Sequence, residues 1–208
     1  MTLPDKLMVS LRLAGSGTPV ATDVIAAFHG WIAARAFDEI LIDVADYSHV
    51  PEGPGVVLIG YDHNYSVAQR ARDIELSCYR KRETRGSNPL LQTLRRLLET
   101  CWLLRGPLGE RGVELRSAAV EITVFDRLLT EHQPFRATEL AWLVAEHLAS
   151  AIGVRPAVTV ASDTARPTLR AAWAVPAAVD SLLERLRSPG TGAQGDSEHC
   201  ADVTRGNP

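Results

Sequence analysis

Leu7, Val9, Leu11 and Leu13 alternate with polar or flexible residues near the start of the chain. That is the period of a strand with one face on a core. A loop, Gly15 to Pro19, follows. Thr22 is placed to cap a helix, and Asp23 suits its first turn. Val24, Ile25, Phe28, Ile32 and Ala36 supply that helix with an apolar stripe ending near Ala36. Residues 40 to 44 are nearly all apolar. Residues 56 to 59 are apolar on both faces, which predicts a central strand covered on both sides or a strand at a subunit contact. Ile74, Leu76 and Cys78 alternate along a strand over 73–80.

Asn88-Pro89 is a helix start, a capping side chain followed by proline at the first helical position. Leu90, Leu91, Leu94, Leu97, Leu98, Cys101 and Leu104 recur at helical spacing up to Gly106-Pro107, where the helix is expected to end. The second half repeats this order of elements. Val120, Ile122 and Val124 alternate as a strand, with a short partner near Val113 to Leu115. A helix from about Ala137 to Ile152 stops at Gly153. Two strands lie near 157–161 and 168–174, and Pro176 opens a last helix carrying Val179, Leu182, Leu183 and Leu186.

This order predicts an α+β fold: a two-layer sandwich of helices on a mixed or antiparallel sheet. Two ferredoxin-like β-α-β-β halves, 1–108 and 109–187, fit the pattern, and so does one continuous sheet. Residues 1–187 read as a single domain. Residues 188–208 are rich in Gly, Pro, Ser and Asp and are expected to be a disordered tail. His199 and Cys200 fall in that tail and are left out of the site reading.

Composition narrows the function classes. Apolar residues make up 46% of the 208 and charged residues 23%, as in an ordinary globular protein. A net charge of −3 argues against a general polyanion binder. The run from Arg80 to Arg85, with Arg70, Arg72, Arg95 and Arg96, is cationic, but no RNA-recognition motif accompanies it, so no nucleic-acid partner is expected. No run approaches the roughly 20 apolar residues of a membrane span, and the first residues do not read as a signal peptide. Cys78, Cys101 and Cys200 support neither a disulfide framework nor a zinc site. A cytoplasmic protein is expected.

The candidate chemistry is densest between residues 43 and 65. Asp46 or Glu52 beside His49 can orient an imidazole for acid–base work, which makes these three the catalytic candidates. Tyr47, His29, Asp62, His63 and Tyr65 are the ligand-binding candidates. A strand of six residues spans about 20 Å, so the groups before and after residues 56–59 need not meet. Asp46-x-x-His49 and Asp62-His63 supply metal-ligand types without an established ligand spacing, leaving metal and cofactor open. No phosphate-binding loop, nucleophile elbow or HExxH helix is present, and enzymatic activity stays undecided.

The segments Phe28-His-Gly-Trp-Ile32, Ile42-Asp-Val-Ala-Asp-Tyr-Ser-His-Val50 and Gly53-Pro-Gly-Val-Val-Leu-Ile-Gly60 resemble a family of bacterial proteins of unknown function. The resemblance implies a shared compact fold and weight on residues 28–65, and it implies no reaction. The expected function is a small-molecule-binding protein with its site at the Asp/His loop before the 56–59 strand. The alternative is a non-catalytic interaction or assembly protein forming a homodimer.

Overall fold

A computed structural model of the chain describes residues 3–14, 21–71, 73–82, 88–110, 112–125, 134–161 and 168–187. The expected tail, 188–208, and the loop 15–19 lie outside the described residues, as do Arg72 and Arg85.

The alternating segment at the start forms β1 (Leu7–Ala14). α1 (Ala21–Ala34) follows and buries Val24 and Phe28. Thr22 lies inside its first turn and not at its cap. A four-strand meander comes next: β2 (Leu41–Tyr47), β3 (Gly55–Gly60), β4 (His63–Arg70) and β5 (Asp73–Arg80). α2 (Pro89–Leu103) starts as its sequence dictates, with the Asn88 side chain accepting the N–H groups of Leu90 at 3.1 Å and Leu91 at 3.2 Å. Gly106-Pro107 does not end the helical path. A short α3 (Arg105–Gly109) continues it, because proline fits the first turn of a helix.

The second half holds β6 (Arg116–Val124), α4 (Pro134–Ile152), β7 (Ala157–Ala161), β8 (Thr168–Ala178) and α5 (Val179–Arg187). Gly153 ends α4 at a φ of 75°, a backbone conformation natural to glycine. No strand forms at 113–115. Pro176 lies within β8 and does not open a helix. The ladder jumps from Ser117↔Ala177 to Ala119↔Ala172, so residues 173 to 176 bulge opposite Ala118. A proline costs no ladder hydrogen bond in such a bulge.

All eight strands join one sheet in the order β2-β3-β4-β5-β1-β6-β8-β7. Every pairing is antiparallel, so of the two sheet types expected the antiparallel one is found. Each half runs strand, helix, then a return that pairs its last strand with its first: β5 with β1, and β8 with β6. The β1–β6 pair joins the halves. β3 is buried on both faces, as its apolar run predicts, although it lies between β2 and β4, second from the edge and not at the middle of the sheet.

The core takes one alternating set from the sheet. Val9 faces Cys78 on one side and Ile122 on the other, and Leu11 faces Leu76 and Val120. These residues are buried with Leu90, Leu94 and Leu97 of α2, Val144 and Leu148 of α4, and Leu182 and Leu183 of α5. The cluster therefore draws on both halves. Each such side chain contributes roughly 1.5–3 kcal/mol through burial.

Candidate functional site

Two polar groups flank β3, one at each end. At the end nearer β4, the organising residue is Glu39, in the connection between α1 and β2. Its Oε2 accepts the backbone N–H of Asp62 at 2.9 Å and of His63 at 3.0 Å. Its Oε1 accepts the Tyr65 hydroxyl and lies 3.2 Å from His63 Nδ1. His63 and Tyr65 alternate inward along β4, which puts both side chains on the core face beside this carboxylate. The side chains of His63 and Glu39 are only 3% and 2% exposed.

Burial pushes the Glu39 carboxyl up. The hydrogen bonds from His63 and Tyr65, the attraction of His63 and the Asp62 N–H outweigh it and hold the carboxyl below its ordinary value. Burial, with the nearby Cys78 and Glu39, drives the Tyr65 hydroxyl strongly upward, so it stays a donor. Phe37 stacks on Tyr65 with ring centroids 5.0 Å apart, and Trp31 packs edge-on against Phe37. Gly60 allows the carboxylate this close. A Cβ there would sit 2.6 Å from the His63 carbonyl and 3.0 Å from Glu39 Oε2. Lys81 also donates to the Gly60 carbonyl, and the buried Arg80 faces His63 across the β4–β5 ladder.

For Nδ1 to donate to Glu39 it must carry the hydrogen, which leaves Nε2 of a neutral ring as an acceptor. Nε2 is buried without a hydrogen-bond partner among the described residues. No surface reaches it, so the Glu39–His63–Tyr65 set acts as a clasp. It ties the β3–β4 turn to the segment leading into β2.

At the other end, the β2–β3 hairpin turns through residues 48–54. Asp46 Oδ1 accepts the Ser48 N–H at 2.8 Å. Bonds from the Ser48 hydroxyl and then its N–H hold the Asp46 carboxyl below its ordinary value. His49 is exposed in the turn. Glu52 takes a left-handed φ of 55°, and Gly55 follows at φ 70°. A cleft of about 230 Å³ lies here, lined by Tyr47, Ser48, residues 50–53, Gln69 and Arg70 together with Ala21 and Val24 at the start of α1.

The candidate residues thus divide. Tyr47 and Glu52 border the cleft, whereas Asp46 and His49 lie outside it on open surface. His29 is exposed on α1 and joins neither group. Asp62, His63 and Tyr65 gather around Glu39. Tyr47 pairs with Gly55 and Ile59 pairs with Asn64, so the two groups occupy opposite ends of β3 and do not converge. Glu39 escapes sequence reading because it follows a helix end in a short connection between elements, where acids are ordinarily solvated. The period-two spacing of His63, Tyr65 and Val67 is the local signal that β4 exists.

No protein-family model, no curated protein and no solved structure matches this chain. Among the described residues no group of three or more His, Cys, Asp or Glu side chains is arranged to hold a metal ion, and no helix is long and apolar enough to cross a membrane.

The edge of the sheet carries a further feature. β2 is the end strand of the order and pairs on one side with β3. Ile40, Ile42, Tyr47 and Val50, on β2 or adjoining it, are exposed large apolar side chains, with Ile40 at 68% and Ile42 at 55%. Tyr61, also exposed, is held beside them by its N–H bond to the Ile40 carbonyl at 2.8 Å. Apolar surface beside an unpaired strand edge is what a protein partner covers.

Proposed function

We propose that this chain is a non-catalytic interaction protein that binds a partner along the free edge of β2. The observation that carries this reading is the exposed Ile42 and Tyr47 on an edge strand, with Ile40 and Val50 exposed just before and after it, and no strand among the described residues pairing with its outer backbone groups. An extended partner segment would extend the sheet through main-chain hydrogen bonds. The clasp at Glu39 supports the reading, because it fixes the segment that leads into β2. The surroundings of Asp46 and His49 also favour it over catalysis: one carboxylate oxygen is engaged in a turn and the imidazole stands in solvent.

A photo-crosslinking residue in place of Ile42 tests the proposal in cells of the source organism. The expected result is one discrete adduct from that position and none from the exposed Trp142 on α4. Equal labelling from both positions, or none from Ile42, overturns it.

A second reading, a small-molecule site, is favoured by the cleft beside the hairpin. Tyr47, Glu52, Gln69 and Arg70 give it an aromatic wall and charges of both signs. Native mass spectrometry of the protein purified without chelator tests this reading: a retained small molecule that is lost in Tyr47→Ala supports it.

A further inference from the structure

The charge pattern of β2 specifies what can pair with it. The strand reads Leu-Ile-Asp-Val-Ala-Asp-Tyr, with two carboxylates and no cation. Asp43 and Asp46 are exposed, and the β3 residues opposite them, Ile59 and Val56, carry no charge. Residues directly opposite in an antiparallel pair lie about 4.5–5.5 Å apart, close enough for opposite charges to attract and like charges to repel.

A second copy of the chain is a poor occupant. If two β2 strands met antiparallel with Val44 opposite Val44, the seam would gather four carboxylates and no compensating cation. A slip of one residue would set Asp43 directly against Asp46 of the other copy, twice over. The irregular register at Ile42 also disturbs regular self-pairing.

The spacing of the acids goes further. Asp43 and Asp46 are three residues apart, so they fall on opposite faces of the sheet. A strand laid against them meets both with cations three positions apart. The two residues between those cations oppose Val44 and Ala45, both partly buried, and are best apolar. Resting on the reading of β2 as a binding edge, we infer that its partner is an extended segment of a different chain. That segment carries a Lys or Arg, two apolar residues and a second Lys or Arg.

The probe is a capped synthetic peptide, Thr-Val-Lys-Val-Val-Lys-Val-Thr, compared with the same peptide carrying Glu in place of both lysines. Binding is read by fluorescence anisotropy, and its location by amide hydrogen exchange over residues 41–47. The expected result is at least tenfold tighter binding of the Lys peptide, weakened by salt, with slowed exchange in β2. D43K/D46K should invert the preference. D43N/D46N, which keeps the polar turn at Ser48, should abolish the preference, and this test survives if the first variant fails to fold.

Equal binding of both peptides with slowed β2 exchange overturns the cationic class and leaves the edge reading standing. Slowed β2 exchange that grows with protein concentration, without peptide, makes a second copy the occupant and overturns the inference in the same way. Failure of both peptides to slow β2 exchange overturns the inference, and the Ile42 crosslink then decides the edge reading independently.

Discussion

Glu39 Oε2 accepts the backbone N–H of His63 at 3.0 Å from a point twenty-four positions earlier in the chain. That contact, doubled by the Asp62 N–H, makes the carboxylate the acceptor for a turn whose donors have no strand to pair with. Removing it leaves two backbone donors and the Tyr65 hydroxyl in a buried site. Glu39→Ala should destabilise the fold by about 3 kcal/mol or more, as expected when a buried charge network loses one member. Urea denaturation checks this: an unchanged slope with a lower midpoint is expected, and a midpoint equal to the parent's would disprove the clasp.

The same carboxylate gives stability a pH dependence. Its folded-state value lies below the ordinary 4.5, so the folded state binds a proton less readily than the unfolded chain. Its contribution is fully present above that ordinary value and is lost as pH falls through the lower folded value. Urea midpoints measured between pH 6 and pH 3 should fall in the parent protein, and Glu39→Gln should show a shallower fall over the same range.

Gly60 and Gly55 should reject alanine for separate reasons. At Gly60 the added carbon meets the His63 carbonyl at 2.6 Å and the clasp carboxylate at 3.0 Å. At Gly55 it meets the Val67 carbonyl oxygen at 2.1 Å, and the backbone sits at φ 70°. Each substitution should cost about 1–3 kcal/mol, with Gly55 the worse because its contact is closer and its φ is positive. Thermal unfolding of the two variants ranks them, and a Gly55→Ala variant as stable as the parent would refute the close β3–β4 approach.

Cys78 and Cys101 are both buried, and burial pushes the Cys101 thiol up to about 12 and the Cys78 thiol well above its ordinary value. Neither should react with a thiol reagent at pH 8 until the protein unfolds. Mass spectrometry of iodoacetamide-treated native protein should find both unmodified, and rapid labelling of either would contradict the core packing.

How much could be read in the chain depended on where the information lay. β1 and β6 were legible because a period-two apolar row needs only its own residues, and α2 because Asn88, Pro89 and seven apolar positions act locally. β4 carries the same period in His63, Tyr65 and Val67, but two of the three are polar and look like surface until the distant Glu39 satisfies them. Pro176 misled for a similar reason. Proline ordinarily breaks a strand, and only the bulge opposite Ala118 makes room for it. The separation of the two polar groups followed from the length of β3, whereas the cleft depends on the neighbouring β4 end and α1, which no local pattern announces.

Leu7 pairs with Val124 on one side of β1 while Met8 pairs with Tyr79 on the other. On the ribosome, β1 emerges first. It can dock with β5 once the meander is made, but its other edge stays open through the synthesis of α2 and α3. Leu7, Val9 and Leu11 are then incompletely covered in the nascent chain until β6 arrives. A translational pause before β6 has emerged from the ribosome would prolong that exposure, and one after it would not.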